Sequence, residues 1–164
     1  GLGDSGHRDA TALLRFKLIG TVEHSHEVIC ACFESLFALD RDASSEFAID
    51  QLAKDTGEVG EAAALALGSS RVLEAVEPLI AWCDHCSPER RHRAGYLAIA
   101  LLRSDVGTAH LLEMIATRSK ADAIAAARAL AVFKETSEIA DQIRVAAAAI
   151  KDKAARREID ELLA

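Results

Sequence analysis

Hydrophobic residues recur along this chain in groups about 31 residues apart. Aliphatic side chains lie at intervals of 31, 32 and 31 residues at Ile49, Ile80, Leu112 and Ile143, and Leu18 extends the series by a further 31. The apolar residues around each of them are three or four positions apart, which is the spacing of one helix face. The pattern therefore predicts an amphipathic helix that repeats along the chain.

A second series, made of small residues, has the same spacing. Small residues stand three, four and seven positions after Val28, Val59, Arg91 and Asp122, and these starting points lie 31, 32 and 31 residues apart. Small side chains allow two helices to approach closely. We therefore expect each repeat to contain a second helix that packs tightly against its neighbours.

The two series together predict antiparallel helix pairs joined by short turns, which is the organisation of an α-solenoid. Helix-start signals agree with this reading at Ser44, at Ser87 followed by Pro88, and at Thr136. The predicted helices cover residues 9–19 and 25–39, 44–55 and 58–68, 72–86 and 88–103, 105–118 and 120–134, and 137–150 and 152–163.

We therefore predict an all-α fold, a right-handed α-solenoid (an α-α superhelix) of about five antiparallel helix pairs. Residues 1–8 are expected to be disordered or derived from expression, and residues 9–164 to form one repeat domain. The fifth pair diverges, because Arg156 and Arg157 stand where small core residues are expected, and it is interpreted as a polar cap. The units are about 9–40, 44–70, 72–104, 105–135 and 137–164.

Two segments resemble a known family of helical repeats. EVGEAAALALG at residues 58–68 and AVEPLI at residues 75–80 are similar to the second and first helices of HEAT repeats. More narrowly, they resemble the short, alanine-rich type called PBS-lyase HEAT-like repeats. The resemblance implies a concave face lined by second helices and used to bind another protein or peptide. The candidate partner-binding residues on that face are Glu61, Arg90, Arg93 and Tyr96.

Charge is unevenly distributed around these candidates. Residues 40–77 hold nine acidic and three basic residues, whereas residues 78–118 hold four acidic and five basic residues. The repeat register predicts that Arg93 lies beside Glu61. The basic run at residues 90–93 is interpreted either as a contact for an acidic peptide or phosphate, or as a solvated helix start with neighbouring salt bridges. The second interpretation is favoured, because charge runs usually solvate a face.

The aromatic residues Tyr96 and Trp82 are the other candidates for partner contact. Tyr96 aligns with Ala64 and Ala127, just outside the stripe of small residues, which favours a surface position. For Trp82 the repeat register does not distinguish a core position from a surface position.

The sequence favours no catalytic, cofactor or metal site. Cys83 and Cys86 form a Cys-x-x-Cys motif, but Cys83 occupies a core position of the repeat, which favours a structural role over zinc or redox chemistry. His26-Glu27 resembles the iron-binding pairs of HEAT-repeat hydroxylases, yet the equivalent positions of the other units hold no such pair. We therefore expect a protein that is not an enzyme, although the sequence does not decide the matter.

Bulk properties narrow the function classes further. The net charge of −7 argues against binding to nucleic acid, and no apolar run approaches the length of about 20 residues that a membrane span requires. Four cysteines in a chain of this size suggest a reducing cytoplasm.

The predicted function is a non-catalytic protein-interaction scaffold without a cofactor. One alternative is a bilin lyase-type enzyme subunit or chromophore-binding partner; another, a reader of the DNA backbone, is opposed by the acidic Glu58 and Glu61. A homodimer through the ends of the solenoid, at Leu162 and Leu163 or at the first helix, is left open.

Overall fold

The computed structural model describes residues 2–20, 25–55 and 57–164. This described part of the chain contains helices and turns but no strand, which confirms the all-α prediction. Its helices are α1 (Leu2–Ile19), α2 (His26–Leu39), α3 (Arg41–Lys54), α4 (Glu58–Ser69), α5 (Val76–His85, after the short 3-10 turn Leu73–Ala75), α6 (Pro88–Arg90), α7 (Tyr96–Leu102), α8 (Asp105–Thr117), α9 (Lys120–Ala131), α10 (Ser137–Ala147) and α11 (Lys153–Leu163).

The observed helices follow the predicted ones closely, except at the start of the chain. Helix α1 begins at Leu2, seven residues before the predicted start, and Gly1 lies outside the described residues. Helix α3 also begins earlier than predicted, because the side chain of Asp40 accepts a hydrogen bond from the Ala43 amide and caps the helix. No helix in the described ranges combines the length and the apolar composition that crossing a membrane requires.

The helices pack in two rows. The first-helix row consists of α1, α3, α5, α8 and α10. The second-helix row consists of α2, α4, the continuous pair α6 and α7, α9 and α11. Each member of the first row contacts the second-row helix that follows it in the chain. Along the second row α2 contacts α4, α4 contacts α7, α7 contacts α9, and α9 contacts α11. Every internal helix is therefore covered both by its pair and by the next unit.

Small residues bring the second-row helices close together, as the repeat pattern predicts. Ala62, Ala63 and Ala64 of α4 are all fully buried. A Cβ atom added to Gly68 would lie 2.5 Å from the carbonyl oxygen and 2.9 Å from the Cα atom of Ala98 on α7. The backbones of α4 and α7 therefore touch where Gly68 lacks a side chain.

The third unit contains one extra residue directly before a π-helical turn. Arg91 follows Ile80 by 11 positions, whereas Asp122 follows Leu112 by 10. The residues that cap the two helices, Ser87 and Ser119, both stand seven positions after these first-row anchors, so the extra residue lies inside the helix. The extra residue lies between Ser87 and Arg91, and the π turn Arg91–Gly95, whose turn holds one residue more than an α turn, follows it directly and joins α6 to α7.

The contact at Gly68 gives the first prediction. Substituting Gly68→Ala should lower the free energy of unfolding by about 1–3 kcal/mol in chemical denaturation, because the added methyl group meets backbone atoms that cannot move aside. The matched control is Gly6→Ala in α1, where an added Cβ meets nothing within 4 Å. That control should be neutral or slightly stabilising, since alanine favours helix over glycine. Equal effects at the two sites would contradict close packing of α4 on α7.

Candidate functional site

Two buried carboxylates organise the polar side chains of the second-helix row. Glu61 on α4 is 1% exposed and Asp122 on α9 is 8% exposed. Both are paired with side chains from the helix that lies between α4 and α9. We call the groups around them the Glu61 cluster, formed by Glu61, Arg90 and Arg93, and the Asp122 cluster, formed by Asp122, Arg91, His92, Tyr96 and Ser119.

In the Glu61 cluster an arginine fork holds the buried carboxylate. Arg93 donates from Nε to Oε1 of Glu61 at 2.7 Å and from Nη2 to Oε2 at 2.6 Å. Nη1 of Arg90 lies 3.7 Å from Oε2 of Glu61. Two parallel charge-assisted hydrogen bonds fix both distance and orientation. The predicted proximity of Arg93 to Glu61 is therefore confirmed, and Glu61 faces the neighbouring helix rather than solvent.

Both partners of this pair are charged. The hydrogen bond from Arg93 lowers the pKa of Glu61, and this effect outweighs burial, which raises it. The same bond and the negative charge of Glu61 raise the pKa of Arg93. The electrostatic interaction with His26 on α2 also helps to lower the pKa of Glu61.

The Asp122 cluster collects four donors on one carboxylate. Oδ1 of Asp122 accepts hydrogen bonds from Arg91 Nε at 3.1 Å, from Tyr96 at 2.9 Å, and lies 2.8 Å from His92 Nε2. Ser119 donates to Oδ2 at 2.7 Å, and its hydroxyl accepts from the Asp122 amide at 3.2 Å. This reciprocal pair caps the start of α9.

The donors keep Asp122 ionised. Burial by itself would raise the pKa of Asp122, but hydrogen bonds from Ser119, His92 and Tyr96, with the charge of Arg91, lower it to about 2. Sequence reasoning missed this cluster as a site. Two signals were present, since Arg91 and Asp122 occupy equivalent repeat positions with opposite charge, and Ser119-x-x-Asp122 matches a helix-capping pattern.

Tyr96 does not occupy the predicted surface position. It is 2% exposed, and its hydroxyl donates to Asp122. Burial and this hydrogen bond raise the pKa of Tyr96. The Tyr96 side chain can be buried because Asp122 accepts a hydrogen bond from its hydroxyl, which removes the cost of an unpaired hydroxyl. The expectation of an exposed Tyr96 is therefore wrong, and this side chain supports the helix contact from inside.

The basic run at residues 90–93 is largely neutralised by its surroundings, as the favoured interpretation predicts. Arg91 also donates to the Cys83 carbonyl at 3.1 Å, and Arg93 also donates to Glu89 at 3.3 Å. These contacts offset the cost of placing arginines near a helix start. Arg90 differs from them, because its buried Nη1 has no hydrogen-bond partner among the described residues.

Cys83, Cys86 and Trp82 lie in the core of the fold. Cys83 is 1% exposed, which confirms its core position, and burial raises the pKa of both Cys83 and Cys86. Raised thiol pKa values disfavour the thiolate that redox or metal chemistry needs. Trp82 is buried, and its Nε1 donates to the Asp55 carbonyl at 2.9 Å.

The described residues around His26 form no metal centre. Nε2 of His26 lies 3.5 Å from Sγ of Cys30, while Glu23 and His24 lie outside the described residues. In the described part of the chain, no group of three His, Cys, Asp or Glu side chains is placed to hold a metal ion.

Comparison of this chain with models of known protein families, with curated proteins and with solved structures finds no match. The resemblance to HEAT repeats therefore stays a prediction, and function has to be inferred from the geometry of the two clusters.

Asp122 gives a pH-dependent prediction. Its pKa is lower in the folded chain (about 2) than the ordinary 3.8, so its ionised form stabilises the fold above about pH 4 and this contribution is lost as pH falls towards 2. Asp122→Asn should lower the free energy of unfolding by about 2 kcal/mol at pH 7. Urea denaturation from pH 7 to pH 2 should show the gap between wild type and variant closing below pH 4. A constant gap down to pH 2 would contradict the assignment.

Proposed function

We propose that this protein is a non-catalytic protein-interaction scaffold, a right-handed α-solenoid of HEAT-like helix pairs whose second-helix row lines the concave face. The contacts between successive second-row helices support the stacked arrangement. The partner is another protein or peptide that presents an acidic group to Arg90. Four free cysteines suit a reducing compartment such as the cytoplasm.

The proposal depends on the partial exposure of Arg90. Its side chain is 25% exposed, and its ion pair with Glu61 is long, since Nη1 lies 3.7 Å from Oε2. Nη1 itself is buried, so a partner carboxylate would bind the exposed part of the Arg90 side chain in a charge-assisted contact. Arg90 is therefore a better candidate for partner contact than the other members of the basic run, which already have hydrogen-bond acceptors.

The remaining candidate residues have supporting roles in this scheme. Glu61 is buried and holds Arg93 in a fixed orientation, while Arg93 keeps a side chain that is 53% exposed beside Arg90. Two arginines three positions apart share one helix face, so together they present a basic edge. Tyr96 is buried and anchors this helix to α9 through Asp122.

The bilin-binding alternative would need a pocket formed by residues 90–93 and His85. The groove of about 500 Å³ beside His85 is instead lined mainly by apolar side chains of α3 and α5, among them Ile49 and Trp82. None of the side chains of residues 90–93 lines that groove. The scaffold proposal is therefore preferred.

The test is quantitative affinity capture from a lysate of the source organism with wild-type and variant baits. Arg90→Glu should weaken a captured partner's binding by roughly tenfold or more, because it replaces the donor with a like charge. The matched control is Arg118→Glu, a charge reversal at the end of α8 in the other row, where Arg118 is half exposed and 3.5 Å from Asp84.

The scaffold proposal predicts partners that are lost with Arg90→Glu and kept with Arg118→Glu, while the far-UV circular dichroism of all three proteins stays the same. Partners that both variants retain would show that the site is wrong. If wild type captures nothing above a blank resin, the scaffold function itself is contradicted.

A further inference from the structure

The outer face of α1 is apolar and exposed. Leu13, Phe16 and Ile19 are 66%, 75% and 64% exposed. They follow one another at intervals of three residues, so they lie along one side of the helix. Clustered apolar surface of this kind marks an interaction site more often than chance exposure does.

The opposite end of the helix stack has a different character. Helix α11 turns Ala155, Ile159 and Leu163 into the core, while its exposed residues include the charged Arg157 and Glu161. Leu163 is only 8% exposed and Leu162 is half-buried, so this end offers less apolar surface than α1. A head-to-tail contact between copies would press the apolar face of α1 against α10, its counterpart in the first-helix row, where Val145 is exposed among the charged Glu138, Asp141 and Arg144. A symmetric contact of α1 with itself avoids that mismatch.

The charges that flank the apolar face are complementary to themselves under a two-fold axis. Asp9 and Lys17 are both exposed, and each stands four residues from Leu13. When two α1 helices cross in antiparallel orientation at Leu13, Asp9 faces Lys17 of the partner subunit at both ends of the contact. Both ion pairs follow from one symmetry operation, with Leu13 at the centre.

We propose that two copies of this chain form a symmetric dimer through the antiparallel pairing of their α1 helices. The contact buries Leu13 and Phe16 and closes two Asp9–Lys17 ion pairs. It does not rest on the proposed scaffold function, and it leaves the second-helix row with Arg90 free.

The size of the contact sets its strength. A helix of 18 residues is about 27 Å long, and one face of it offers less area than the standard interface of about 1,600 Å². We therefore expect a reversible dimer with a dissociation constant of about 1–100 μM.

Sedimentation equilibrium between about 1 μM and 1 mM tests the dimer with the full chain. Phe16→Ser should weaken dimerisation by about 100-fold, because each dimer loses two buried rings. The matched control is Val145→Ser on α10, which removes another side chain that is 75% exposed and should leave the dissociation constant unchanged. A wild-type chain that is monomeric over the whole range would overturn the proposal.

A charge exchange tests the antiparallel geometry separately. Asp9→Lys and Lys17→Asp should each weaken the homodimer by about tenfold, because both ion pairs become like-charge contacts. An equimolar mixture of these two variants should form a heterodimer, and the double variant Asp9→Lys/Lys17→Asp should recover the wild-type dissociation constant. Single variants that dimerise like wild type, or a mixture that stays monomeric, would overturn the pairing of α1 with itself.

Neither result can be confused with failure of the scaffold function. Arg90→Glu changes a different row of helices and should leave the dimer dissociation constant unchanged. Loss of the dimer with Arg90→Glu would contradict an interface confined to α1.

Discussion

A carboxylate removed from water must be paired, and Glu61 imposes this requirement at the centre of the structure. It lies on a helix whose next three residues are fully buried alanines, so the backbone around it cannot shift to expose it. The pairing charge must come from the next second-row helix, and Arg93 supplies it through two hydrogen bonds of 2.6 and 2.7 Å. One ion pair therefore couples the packing of α4 to the position of the basic residues that follow Pro88.

The same helix satisfies a second buried acid on its other side. Arg91 reaches Asp122 on α9, while Arg93, two residues later, reaches Glu61 on α4. Side chains two residues apart point in nearly opposite directions on a helix. The π turn lies at these residues and directly follows the extra residue of the third unit. We infer that the two ion pairs set the register of three successive second-row helices, and that the proposed partner binding at Arg90 depends on this register.

The sequence predicts the helices because their packing is repetitive. Equal spacing of large aliphatic and small residues defines two helices per unit, and it also brings Arg93 next to Glu61. The sequence predicts the first helix only from residue 9, whereas α1 begins at Leu2 and includes the glycines at positions 3 and 6, which have low intrinsic helix propensity. In the folded chain α1 continues through both glycines despite their low helix propensity.

The interior of the site was harder to predict from sequence. Spacing alone shows that the third unit has one extra residue, but not whether a turn or a helix holds it. Tyr96 follows the π turn directly, and its repeat equivalents are alanines, so its burial depends on Asp122, an acceptor from another unit. A contact between two different units, such as that of Tyr96 with Asp122, leaves no periodic signal in the sequence. The one hint is the opposite charge of Arg91 and Asp122 at equivalent repeat positions.

A double-mutant cycle on Glu61 and Arg93 tests most directly whether this buried pair organises the second-helix row. The free energy of unfolding would be measured for Glu61→Gln, Arg93→Gln and the double variant, and for the same cycle on the exposed pair Arg157 and Glu161, 3.0 Å apart on α11. We expect each Glu61-cycle single variant to be destabilised and the double variant to lose much less than their sum, with a coupling clearly larger than that of the exposed pair. Additive losses, or equal couplings in the two cycles, would contradict the central role of this ion pair.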